Sequence, residues 1–156
     1  MRIATIAVAL LLAAGCTKTV KVETDPKTGR TDVDVQAPGV PEGWKGTLAA
    51  VGGSGITGTA SGTSANDRTT VTVSITGAKA GDTLPWHVHD GTCGAAGPPI
   101  VGDAAAYPPL VVGADGTATA TATITVDLNE ARNYIVNVHA SPTNLATIVS
   151  CGDFND

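Results

Sequence analysis

The chain predicts an all-β domain of about eight antiparallel strands, arranged as a sandwich or flattened barrel. Three observations carry this reading. Apolar and polar residues alternate with a period of two through most of the sequence after Trp44, the pattern of strands with one buried and one wet face. Turn residues are dense, with 19 Gly and 9 Pro in 156 residues, and they fall between the alternating runs. Threonine, a strand former, occurs 23 times while aromatic residues make up only 3% of the chain. The core must therefore be built from Val, Ile, Leu and Ala, and a helical bundle is excluded.

Residues 44–51 and 55–62 flank a turn at Gly52-Gly53 and read as the first two strands of the domain. In 68–76, Thr69, Val71, Val73 and Ile75 take one face, while Arg68, Thr70, Thr72, Ser74 and Thr76 take the other. A glycine-bounded turn at 77–81 leads to a strand at 82–90. Another at 108–113 turns through Ala114-Asp115-Gly116 into 117–126, where Ala118, Ala120, Ala122, Ile124 and Val126 oppose a row of threonines. Strands at 133–140 and 145–151 close the domain, and only 128–132 suits a helical turn. The net charge of −5 and pI near 4.9 exclude a phosphate-binding basic surface. A hydrophobic fraction of 42% excludes a disordered chain.

The N-terminus reads as an address. After Arg2, residues 3–14 form an uncharged apolar run, shorter than the ~20 residues a spanning helix needs and suited to an export signal. Ala13-Ala14-Gly15 then precede Cys16. This stretch resembles the lipobox of bacterial lipoproteins, which implies removal of residues 1–15 and acylation of Cys16; Ala13 stands where Leu is usual. An ordinary export signal with an incidental Cys is the alternative. Several acyl chains on one residue exceed the two-signal threshold for stable membrane anchoring. The expected location is the cell envelope, with inner and outer membrane both left open by Thr17. Residues 16–43, polar and interrupted by Pro26, Pro38 and Pro41, read as a stalk. Within it Val20/Val22 and Val33/Val35 alternate as the arms of a hairpin would. Residues 44–156 form the domain.

With Cys16 set aside, Cys93 and Cys151 remain. An oxidising compartment favours a bridge between them, which would close a loop of about 59 residues and stabilise the fold by ~4 kcal/mol. Two free thiols are the alternative. The three histidines are confined to two strands. His87 and His89 share a face of Leu84-Pro85-Trp86-His87-Val88-His89, with Trp86 and Val88 on the other. His139 shares a face with Ile135 and Asn137, opposite Tyr134, Val136 and Val138. Imidazoles two apart on a strand can grip one ion from one side, so His87, His89 and His139 are the candidate metal ligands. Asp90 reads either as a hydrogen-bond partner of a ligand histidine or as an exposed turn carboxylate. Trp86 and Tyr134 read as packing residues, and Asp103, Asp115, Asp127 and Asp153 as solvated turn residues.

These motifs carry a resemblance. His87-Val88-His89-Asp90, followed by Cys93, resembles the copper-binding strand and half-cystine of the copper/zinc superoxide dismutases. Tyr107-Pro108-Pro109-Leu110, with its turn at Asp115-Gly116, looks like the stretch before that family's central strand. Asn137-Val138-His139-Ala140-Ser141-Pro142 resembles the strand bearing the last copper histidine, and Ser150-Cys151-Gly152-Asp153 the closing strand with the other half-cystine. The resemblance covers about 44–154. It implies an eight-stranded Greek-key barrel, a Cys93–Cys151 bridge, one copper ion on His87, His89 and His139 as the catalytic centre, and superoxide as substrate. The family's fourth, bridging copper histidine has no counterpart. Residues 94–106 contain no His, so the family's four-ligand zinc site is not expected. The loop between the last two strands shrinks to 141–146, and Ile148-Val149-Ser150 stand where the family has an anion-guiding Arg.

The resemblance thus implies a copper-only superoxide dismutase tethered in the envelope by lipid on Cys16. A non-catalytic copper carrier, a three-histidine zinc site and a metal-free sandwich are the alternatives, and nothing in the sequence fixes an oligomeric state. Substituting Cys16→Ser should abolish fatty-acid labelling and move the protein from the membrane to the soluble fraction. Unchanged fractionation would mean that Cys16 carries no anchor.

Overall fold

The structure, a computed structural model, describes residues 19–24, 31–36, 41–95 and 97–155. The expected export signal, residues 1–15, and the expected lipidation site Cys16 lie outside these residues. Strands β1 (Thr19–Thr24) and β2 (Thr31–Gln36) pair antiparallel, with Val20 opposite Val35 and Val22 opposite Val33, as the hairpin reading expects.

The domain contains β3 (Glu42–Ala50), β4 (Thr57–Ala65), β5 (Arg68–Thr76), β6 (Thr83–Leu84), β7 (Trp86–Asp90), β8 (Leu110–Val111), β9 (Ala118–Ile124), β10 (Tyr134–Ser141) and β11 (Asn144–Asn155). Seven of them form one antiparallel sheet in the order β7-β10-β11-β3-β4-β5-β9, curled into a half-barrel. The short β6–β8 pair spans its open side: β6 runs through Pro85 into β7, and β8 lies against β9. Counting β6 and β7 as one interrupted strand, the domain has the eight strands expected.

Prolines account for the main departures. Pro85 divides the expected 82–90 strand, since it has no N–H to give a ladder. Pro108 and Pro109 remove the start of the expected 108–113 strand for the same reason, and only Leu110–Val111 pairs, with β6. Residues 128–132 make a turn rather than helix, closed by Arg132 N–H donating to the Asn129 carbonyl at 2.9 Å. The last strand runs on to Asn155, past its expected end at 151, and buries Phe154 completely.

The predicted alternation decides which face is core. Val71, Val73 and Ile75 of β5 and Ala118, Ala122 and Ile124 of β9 are buried. Their outward neighbours form a hydroxyl ladder: Thr70–Thr123 at 3.2 Å, Thr72–Thr121 at 2.8 Å and Ser74–Thr119 at 2.9 Å. Two aromatic groups fill the interior. Trp44 packs on Tyr134 at 5.5 Å and Phe154 at 5.9 Å, and Trp86 packs edge-on against Tyr107 at 5.1 Å. A Cβ at Gly62 would come within 3.0 Å of the Phe154 ring, so a strand glycine makes room for an aromatic whose burial is worth ~1.5–3 kcal/mol.

Cys93 and Cys151 are bridged across 58 residues with Cα atoms 6.0 Å apart, tying the segment after β7 to β11. Replacing both with Ala should lower unfolding free energy by ~2–5 kcal/mol in denaturant titrations. A loss below about 1 kcal/mol would show that the covering segment holds its place without the bridge.

Candidate metal centre

The centre is built on the ladder between β7 and β10, which sets Asn137 opposite His87, Ile135 opposite His89 and Val138 opposite Trp86. Trp86, Val88, Val136 and Val138 point inward and are fully buried. Trp86 also donates its indole N–H to the Pro108 carbonyl at 2.8 Å, and Tyr134 packs on Trp44, so both serve packing as expected. The histidines project from the opposite face.

The segment after β7 folds back along that strand's free edge and reaches the histidines from there. Asp90 N–H donates to the Pro99 carbonyl at 3.0 Å and Val101 N–H to the Val88 carbonyl at 2.9 Å, with a bridge between His89 and Ile100. Tyr107 closes the cover: its hydroxyl donates to the Val101 carbonyl at 2.7 Å, and its ring meets that of His87 at 5.3 Å and 79°. Burial pushes the phenol up to about 12, so it stays a donor. Under this cover His87, His89 and His139 are 7%, 6% and 4% exposed.

The ring nitrogens are set by their partners. His89 Nδ1 donates to the Pro98 carbonyl at 2.9 Å, and His139 Nδ1 donates to the Leu145 carbonyl at 2.7 Å. Each bond fixes the tautomer and leaves the Nε2 lone pair facing the centre. His139 Nε2 lies 3.0 Å from His87 Nδ1, a contact that needs a shared proton or a shared cation. His89 Nε2 is buried with no hydrogen-bond partner among the described residues. One ligand atom from each residue falls within 4.8 Å of the others. Nitrogens ~2.0–2.1 Å from one ion are ~3–3.5 Å apart, and the His87–His139 pair already stands at that spacing. The His89 nitrogen, within 4.8 Å, has only a small distance to close, and an orphaned buried nitrogen is what such an ion would satisfy.

Burial, reinforced by the neighbouring His139 and His89, lowers the His87 pKa to about 4. Burial also lowers His89 and His139, against the opposing pull of their carbonyl partners. At neutral pH all three rings are therefore uncharged, the form in which imidazole ligates a metal ion.

The carboxylates take other parts. Asp90 Oδ2 pairs with the Arg132 guanidinium at 2.8 Å, so the partners of the ligand imidazoles are the carbonyls of Pro98 and Leu145 and not Asp90. Asp103 caps the short 3-10 turn Ala104–Ala106, and Asp115 accepts from Thr117 within its turn. Asp127 does more than the turn reading expects, accepting from the N–H groups of Asp67 and Arg68 and from the Ser64 hydroxyl. Any residue carries a carbonyl, so Pro98 and Leu145 leave no mark in the sequence. No protein-family model and no curated protein matches the chain.

Between pH 6.5 and about 4 the unfolded chain binds a proton at His87 that the folded metal-free protein refuses. Stability contributed by this residue is therefore lost as pH falls through that window. The melting temperature of the metal-free protein should drop more between pH 7 and 4.5 than that of His87→Gln. Equal drops would mean that His87 is not held neutral by its surroundings.

Proposed function

We propose that the chain is a copper-only protein of the superoxide dismutase-like kind, a Greek-key barrel held in the cell envelope by lipid on Cys16. The observation that carries this is the convergence of three neutral imidazoles on one point, with two of the rings locked by backbone carbonyls. Imidazole sets suit copper, and copper(II) tops the divalent affinity series. Bound there, copper would supply the one-electron couple that converts two superoxide ions to oxygen and peroxide.

The chain's own part is to hold and shape. His87, His89 and His139 bind; Pro98 and Leu145 orient; the 97–101 segment and Tyr107 wall one side of the centre. Asp90 is engaged by Arg132, which leaves solvent as the proton source for the reduced product. The Cys93–Cys151 bridge supports an oxidising compartment. The pairing of β6 with β8, and the seat of β8 against β9, support the Greek-key reading.

Copper-loaded protein should show a nitrogen-split EPR signal and dismutate superoxide in pulse radiolysis at least tenfold faster than the same copper in solution. His139→Ala should fall to the free-copper rate. A tightly bound copper with no rate above free copper would make the protein a carrier, and failure to bind copper would remove the proposal.

A further inference from the structure

Two of the three candidate ligands are turned by a carbonyl, His89 by Pro98 and His139 by Leu145. His87 is held differently. Its ring-nitrogen contact among the described residues is the 3.0 Å approach of Nδ1 to His139 Nε2, and that contact is no brace once both nitrogens face an ion. What meets the His87 ring instead is the buried Tyr107, at 5.3 Å between ring centres and 79° between planes. This is the edge-to-face arrangement that aromatic rings prefer.

Tyr107 is itself fastened to β7 on both sides of His87. Trp86, one residue before, donates its indole N–H to the carbonyl of Pro108, the residue after Tyr107, at 2.8 Å. Val88, one residue after, accepts from the Val101 N–H at 2.9 Å, and the Val101 carbonyl accepts from the Tyr107 hydroxyl at 2.7 Å. The Trp86 ring also meets the same tyrosine edge-on at 5.1 Å. The tyrosine ring therefore keeps a fixed place relative to the His87 backbone, and an imidazole set against it loses its freedom to turn about its own side-chain bonds. We propose that Tyr107 is the positioning residue for His87, its ring holding the imidazole with Nδ1 turned to the centre. It plays the part that the Pro98 and Leu145 carbonyls play for the other two ligands. Its hydroxyl keeps the ring in place through Val101. The inference rests on the three-histidine metal reading above.

Copper(II) affinity of the full chain, from competition with a chelator, and the nitrogen splitting of its EPR signal test this. Tyr107→Leu should weaken copper binding about tenfold or more, the loss that follows removal of a ligand's outer partner, and should change the splitting. Tyr107→Phe keeps the ring and should restore most of both. A double-mutant cycle separates positioning from general support of the fold. On a His87→Gln background Tyr107→Leu should cost no further affinity, while on a His89→Gln background it should cost its full factor. Tyr107→Met, another flexible apolar replacement, stands in if the Leu variant fails to fold. Equal losses on the two backgrounds overturn the proposal, as does an unchanged Tyr107→Leu protein or a Phe variant as weak as the Leu one. A wild-type protein without a nitrogen-split copper signal overturns the metal reading and this inference with it.

Discussion

The ladder between β7 and β10 sets every distance at the centre. Its register puts His87 and His89 outward beside His139 and sends Trp86, Val88, Val136 and Val138 inward. A slip of one residue would exchange the two faces and drive the imidazoles into the core. What holds the register is burial of those four apolar side chains, each worth ~1.5–3 kcal/mol. The hydrophobic interior thus specifies the placement of the polar cluster on the other side of the same strands.

The cover supplies what a sheet face alone lacks. An open strand surface would leave three solvated histidines near their ordinary pKa, free to rotate. Folding 97–101 back along β7 buries them and places the Pro98 carbonyl on His89 Nδ1. The short β10–β11 turn does the same for His139 through Leu145. His87 has no such carbonyl and is braced by the edge of Tyr107. Pro98 and Pro99 suit this segment: with no N–H groups they present carbonyls, and their fixed φ limits the ways the segment can lie.

Much of this was legible in the sequence, for a physical reason. Alternation with period two reports which face is buried wherever only one face is, as in β5 and β9, and the same parity put the three histidines on common faces. The breaks were harder. Pro85, Pro108 and Pro109 interrupt pairing inside runs whose apolar pattern continues, so the pattern alone overran the ladder. Asp90 was misleading because adjacency along the chain says nothing of Arg132, which the β7–β10 pairing brings to it. Asn137 could be assigned to the histidine face from parity alone, and the ladder does set it opposite His87.

Cys93 lies near the start of the segment whose Pro98 carbonyl steers His89, and its partner Cys151 lies beside Asn137 in the ladder. The one covalent tie outside the backbone among the described residues therefore fastens the segment that steers His89 to the strand that flanks Asn137. Where the two thiols are reduced that fastening is absent, so the redox state of the surroundings bears on how firmly the histidine cradle is held.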